Sequence, residues 1–257
     1  MTEARHASTL ILLRDGQAGI EVFMGRRHLK SGFVGGAYVF PGGAVDPADD
    51  IDELLCAGRT HASASKSLGV PHGGLAYWVA AVRECFEEAG ILLAYGRDGS
   101  MLDFKKADVH RRYEEYRRAL FAGKLSIADL ARSEGLRLAT DQIHYWAHWI
   151  TPEGEPRRFD ARFFLAVAPP RQEASHDERE LTDSAWITPR AALERVRSGE
   201  WDMILPTIRN LMHLRDFPTA ASAESAARAP RDIVAVLPRI VTDERGTRIL
   251  VPGEEEV

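Results

Sequence analysis

Apolar and polar positions along this chain follow two rhythms. Residues 8–14 are apolar almost without interruption, a turn region from Gly16 to Gly19 follows, and residues 20–26 are apolar again. That pattern predicts two strands joined as a hairpin. Residues 37–40 make a short third strand, which Pro41-Gly42-Gly43 breaks. Over residues 75–89 the period becomes helical. At about 100° per residue, Trp78, Val79, Val82, Phe86 and Ala89 share one side, and Glu84, Glu87 and Glu88 share another. Gly90 stands where a helix end favours a residue free to take positive φ.

Further along, charged helices are expected over 107–123 and 126–134, with Ser126 as an N-cap. Strands follow at 144–150, 158–167 and 184–187, then a helix over 189–198 with Pro in its first turn, and a last core helix over 206–215. Residues 50–57 suit a short helix, and 61–74, rich in Ser, Gly and His, read as a mobile or ligand-dependent loop. After Pro218 the small residues of 219–229 read as a linker. Two strands, 233–241 and 247–251, would flank the turn at 243–246 and could pack on the core or serve a homodimer. The order of elements implies an α+β fold with helices on both faces of a mixed sheet.

Composition narrows the classes. The chain has 257 residues, 45% hydrophobic and 28% charged, which is ordinary for a soluble globular protein able to bury a core without staples. Two cysteines, Cys56 and Cys85, make no disulfide framework. The N-terminus lacks the apolar stretch of a signal peptide, and no run reaches transmembrane length, so no membrane partner is expected. The closing residues are not a Ser-Lys-Leu address, which leaves the cytoplasm as the expected compartment. A net charge of −5 makes no electrostatic case for nucleic acid. A nucleotide would have to meet local positive charge, for which Arg26, Arg27, His28 and Lys30 form one group and Arg157, Arg158 and Arg162 another.

The chemistry concentrates in Arg83-Glu84-Cys85-Phe86-Glu87-Glu88-Ala89-Gly90-Ile91. Three like charges on one helical face destabilise a bare helix, and hard divalent cations prefer carboxylate oxygen. Arg83 suits an ion pair that orients the carboxylates.

This segment resembles the second half of the Nudix box, G-x5-E-x7-R-E-U-x-E-E-x-G-U with U aliphatic. Tyr38-Val39-Phe40-Pro41-Gly42-Gly43 resembles the strand and glycine loop that open it. Forty positions separate Gly43 from Arg83, where the usual box has fourteen. The insertion spans about 46–76, and the box's middle Glu is assigned to no residue. A long insertion after Phe-Pro-Gly-Gly-Ala-Val-Asp resembles the coenzyme A diphosphatase branch of Nudix hydrolases. The likeness extends through residues 149–152, 157–164 and 206–207.

The resemblance implies the Nudix α/β/α sandwich over 1–216, with a helical insertion at 97–142 and a C-terminal β extension at 217–257. It implies hydrolysis of a pyrophosphate bond in a nucleoside diphosphate linked to another group, with coenzyme A or acyl-coenzyme A as the leading substrate. ADP-ribose, NADH, dinucleoside polyphosphates and nucleotide sugars stand as alternatives, and a non-catalytic nucleotide-binding module as the alternative class. Glu84, Glu87, Glu88 and the carbonyl of Gly42 would ligate Mg²⁺ or Mn²⁺. Glu180, with Glu178 as its competitor, would supply a further acid. His144 and His148 read chiefly as structural, Trp146, Trp149, Phe163 and Phe164 as core, and Tyr113 and Tyr116 as helix packing.

Overall fold

The computed structural model describes residues 2–29, 34–176, 180–243 and 246–253. Its sheet begins with the expected hairpin, β1 (Arg5–Gly16) against β2 (Gly19–Arg27), paired from Leu13↔Val22 to Gly16↔Gly19. The two strands then part. The opening is filled by β3 (Tyr38–Val39), which pairs with β2, and β4 (Gly42–Ala44), which pairs with β1 at residues 7–9. Pro41 bridges the step, its carbonyl accepting from the Leu10 amide at 2.8 Å. Gly42 has to be glycine here: a Cβ would lie 2.5 Å from the Ser8 carbonyl oxygen. The glycine loop thus sits within the sheet.

Helix α1 (His61–Leu68) and helix α2 (Gly74–Ala89) follow, then the short strand β5 (Ala94–Tyr95). Helices α3 (Ala107–Phe121) and α4 (Ile127–Glu134) come next, and β6 (Arg137–Leu138) closes a small ribbon with β5. Strands β7 (His144–Ile150) and β8 (Phe159–Val167) return to the main sheet, where β8 runs parallel to β1 and β7 antiparallel to β8. Strand β9 (Leu181–Ile187) pairs with the far edge of β2. Helices α5 (Pro189–Arg197), α6 (Leu205–Leu214) and α7 (Ala220–Arg228) and the hairpin β10 (Arg239–Asp243) and β11 (Gly246–Leu250) complete the order.

Alternation along the strands divides the core. Leu10, Leu12, Phe23, Phe164 and Ala166 face α2 and the inserted helices, whereas Ile11, Leu13, Val22, Met24 and Leu165 face α5, α6 and α7. This is the α/β/α sandwich of a mixed sheet.

Three local expectations are corrected. Residues 61–68, expected as loop, form α1, because Thr60 and Ser63 build a reciprocal cap and Ala64 and Leu68 are buried. Residues 50–57 hold only a 3-10 turn, Glu53–Leu55, with a second at Pro47–Asp49. The small-residue stretch expected as a linker is helix α7: Thr219 caps it, and Ala220, Ala223 and Ala227 bury a smooth stripe on β7 and β8. Small size, read as mobility, here permits close approach. Beyond it, Val236 hydrogen-bonds β7 through His148 and Ile150. Among the described residues, no helix is long and apolar enough to cross a membrane.

Candidate active site

Helix α2 buries Trp78, Val79, Val82 and Phe86 on the sheet, and that contact aims its other side at the glycine loop. Gly43 allows the fit, since a Cβ there would fall 2.5 Å from Glu84 Oε1. The Gly42 amide donates to Glu88 Oε2 at 2.9 Å. The carboxylate face is therefore covered rather than outward: Glu88 is only 3% exposed.

Arg83 organises the cluster. Its Nε and Nη2 donate to the two oxygens of Asp49 at 2.8 and 2.9 Å, its Nη1 reaches Glu84 at 2.7 Å and Glu87 at 3.4 Å, and Nη2 also reaches the Ala44 carbonyl. Asp49, wholly buried, was not among the expected site residues. It stands six positions after Gly43, the place of the box's middle Glu, and the one-carbon-shorter acid hid it. The insertion therefore lies between Asp49 and Arg83, and folding returns the two box halves to contact.

Burial dominates the titration of the cluster. It raises Glu84 to about 7 against the opposing charge of Arg83, with Glu87 adding repulsion. It raises Glu87 too, again opposed by Arg83. Glu88 is driven well above the carboxylate range by burial and by Glu84, with the Gly42 amide pulling the other way. Glu180 also acts on Glu84, Glu87 and Glu88 as a like charge, so the fold brings it to the triad. Its own carbonyl accepts from the His28 amide at 2.8 Å. Glu178 lies outside the described residues.

The expected cationic groups separate. Arg27 shares a β2 face with Phe23, toward α2, and lowers Glu88 by its charge. Arg26 points to the opposite face, where its Nε donates to the Gly36 carbonyl at 3.3 Å. Lys30 lies outside the described residues. Arg158 is spent on the carbonyls of Thr151, Pro152 and Thr2 at the β7–β8 turn, with exposed Arg157 beside it. Arg26 is thus engaged with the Gly36 carbonyl and Arg158 with the turn, which the strand register puts beyond the start of β1. Sequence proximity to a charge says nothing of the side of the sheet on which it emerges.

The remaining candidates are structural. His148 bonds Asp160, and His144 bonds Glu224 of α7 at 3.3 Å. Trp146, Trp149 and Phe163 are buried on one side of the sheet and Phe164 on the other. Tyr113 is buried against Phe104, and Tyr116 donates to Glu134. Cys85 is buried in α2.

The cluster fits a divalent cation, because carboxylates raised by burial and mutual repulsion are what such a charge relieves. Among the described residues no three His, Cys, Asp or Glu side chains already form an ion cage. Glu84 and Glu87 lean on Arg83, and Glu88 on the Gly42 amide. Mg²⁺ needs no such cage, being held by one or two carboxylates together with water and substrate phosphate.

A sandwich with a glycine loop wedged in its sheet and an R-E-x-x-E-E helix laid across it defines a Nudix hydrolase, an enzyme that cleaves phosphoanhydride bonds. The comparisons narrow the class. A family model described as the NUDT19 Nudix domain matches residues 56–214, and the chain belongs to that family. It is 30% identical to the acyl-coenzyme A diphosphatase NUDT19 of Gallus gallus, over 93% of this chain and 73% of that protein. Against the Homo sapiens protein of the same name the identity is 26%, over 92% and 72%. A crystal structure of a Nudix hydrolase from Alicyclobacillus acidocaldarius superposes with a TM-score of 0.72 at 30% identity, covering 88% of this chain and 97% of that one.

Proposed function

We propose that this enzyme hydrolyses the pyrophosphate bond of coenzyme A or acyl-coenzyme A, releasing 3′-phosphoadenosine 5′-phosphate and (acyl-)phosphopantetheine. The observation that carries the chemistry is the Arg83 fork, which ties Asp49 to Glu84 and Glu87 beside the Gly42–Glu88 bond. The names of the Gallus gallus and Homo sapiens relatives support the substrate class.

Glu84, Glu87, Glu88 and the Gly42 carbonyl would hold Mg²⁺ or Mn²⁺, which when bound neutralises the bridging phosphate oxygens and acidifies a water. The chain's own residues do the rest. Arg83 fixes the carboxylates so that little reorganisation is needed during reaction. Glu180, whose charge acts on Glu84, Glu87 and Glu88, is the acid to take the proton of the attacking water. Arg27 is the cation placed to meet a substrate phosphate. No side-chain nucleophile is required, because water attacks phosphorus directly.

The test is product formation with and without Mg²⁺ or Mn²⁺ from a panel of coenzyme A, acetyl-coenzyme A, ADP-ribose, NADH, diadenosine polyphosphates and a nucleotide sugar, resolved by mass. Metal-dependent release of 3′-phosphoadenosine 5′-phosphate above all other products is expected. Preference for another member would discard the coenzyme A assignment and keep the chemistry. A folded chain that turns over nothing would favour a nucleotide-binding module.

A further inference from the structure

The last carbonyls of α2 need partners that the helix cannot supply. The Phe86 carbonyl accepts from the Gly90 amide, and the Ala89 carbonyl from the Ser175 amide at 2.9 Å. The two between them, on Glu87 and Glu88, both receive one side chain from the inserted helix α3. Arg117 donates from Nε to the Glu87 carbonyl at 2.9 Å and from Nη2 to the Glu88 carbonyl at 3.1 Å. Its remaining bonds go to Ser175 O at 2.8 Å, Ser175 Oγ at 3.2 Å and Glu114 Oε1 at 3.2 Å.

Arg117 is only 5% exposed and lies on the same face of α3 as the buried Tyr113 and Leu120. A cation in an apolar stripe is costly to bury, and what answers it here is backbone carbonyls with one acid. Its seat also constrains Gly90: a Cβ there would lie 2.9 Å from Arg117 Nη1, at a φ of +70°. The segment it grips is held a second time. Gln172 exchanges hydrogen bonds with both the amide and the carbonyl of Leu92, at 2.9 and 3.0 Å, and donates to the Leu102 carbonyl.

We propose that Arg117 is a positioning residue, through which the helical insertion holds the Glu87–Glu88 backbone, and with it the carboxylates of α2, against Ser175. The inference rests on reading those carboxylates as the reacting and metal-holding groups. The guanidinium spreads these bonds over Nε and Nη2 in one plane, a span that a lysine ammonium, with its donors on one nitrogen, does not reproduce. Displacement of such groups by about 1 Å can cost on the order of 100-fold in rate.

The experiment compares the full chain with Arg117→Lys, Arg117→Ala and Ser175→Ala, and with Arg112→Ala as a control on the exposed face of α3. It reads kcat and KM for acyl-coenzyme A, Mn²⁺ affinity by electron paramagnetic resonance, and fold by circular dichroism. Folded Arg117→Lys should lose at least about tenfold in kcat, with KM within about threefold and Mn²⁺ bound at least about threefold more weakly. Ser175→Ala should move the same quantities in the same direction by less, and Arg112→Ala should move none. Wild-type kcat and Mn²⁺ affinity in a folded Arg117 variant would overturn the proposal. If neither Arg117 variant folds, wild-type values in Ser175→Ala overturn it. A wild-type chain that binds Mn²⁺ and turns over none of the panel defeats the functional reading instead, and Mn²⁺ affinity still decides the role of Arg117.

Discussion

Asp49 and Arg83 are thirty-four positions apart in sequence and joined by two hydrogen bonds, of 2.8 and 2.9 Å, with the Asp49 carboxylate fully buried. The pair closes the Nudix box across its own insertion. Helix α4 packs on the 3-10 turn that presents Asp49, so the inserted helices buttress one box half while α3 grips the other.

Removing one charge of this pair should be expensive. Asp49→Asn leaves a buried guanidinium under-answered and is expected to destabilise the fold by about 3–5 kcal/mol, measured by denaturant unfolding. Turnover should fall with it, because Arg83 then loses the anchor that holds it over Glu84 and Glu87. Asp49→Glu keeps the charge and should retain more activity than Asn. Equal activity in the two variants would deny the ion pair its role.

Glu88→Gln separates stability from chemistry. Glutamine can still accept from the Gly42 amide, and it removes a carboxylate whose charged form burial disfavours. At pH 8 without metal the variant should melt no lower than wild type. Its turnover should fall on the order of 10²–10³-fold. Undiminished turnover would sink the assignment of Glu88.

Arg27 and Arg26 are adjacent in sequence and opposite in direction. Arg27→Ala should raise KM for the nucleotide by about tenfold, the size of one charge-assisted hydrogen bond. Arg26→Ala should leave KM unchanged, since its guanidinium serves the Gly36 carbonyl. Steady-state kinetics on both variants decides the matter.

Acid should weaken the fold through Asp160. Burial alone would raise this carboxyl, but the hydrogen bond from His148 and the charge of Arg162 outweigh it and hold the group at about 2. A folded value below the unfolded one contributes stability that is complete above the unfolded value of 3.8 and is lost as pH falls through about 2. The contribution is about 2 kcal/mol. The stability difference between wild type and Asp160→Asn, followed by urea unfolding, should shrink by that amount from pH 5 to pH 2.

Helix α7 is part of the core. Ala223 is fully buried against β7 and β8, and Asp15 accepts from the Ala220 amide at 2.7 Å. Ala223→Asp should cost about 2–4 kcal/mol by burying a charge without a partner. A melting temperature equal to wild type would return this segment to the status of a linker.

Some of this was legible from residues alone. The periods of residues 8–14, 20–26 and 75–89 are local properties of the chain, and so were the hairpin, the glutamate helix and the i, i+3, i+4 alignment of Glu84, Glu87 and Glu88. Ser126 as a cap and Gly90 as a left-handed stop were equally plain, since capping and positive φ are settled within a few residues. The motif carried the class of reaction, because acids, glycine and arginine at that spacing have few other uses.

Tertiary structure alone decided the rest, and in each case for a long-range reason. The partner of Arg83 depended on a chain returning across an insertion. The division between Arg26 and Arg27 depended on which face of β2 met α2. That Glu180 joins the triad depended on β9 pairing along β2, where its carbonyl meets the His28 amide, and that residues 219–229 form a packed helix depended on a sheet face needing to be covered. Local chemistry along the chain named the candidates for the reaction; the packing of α2, the glycine loop and the insertion decided which of them meet.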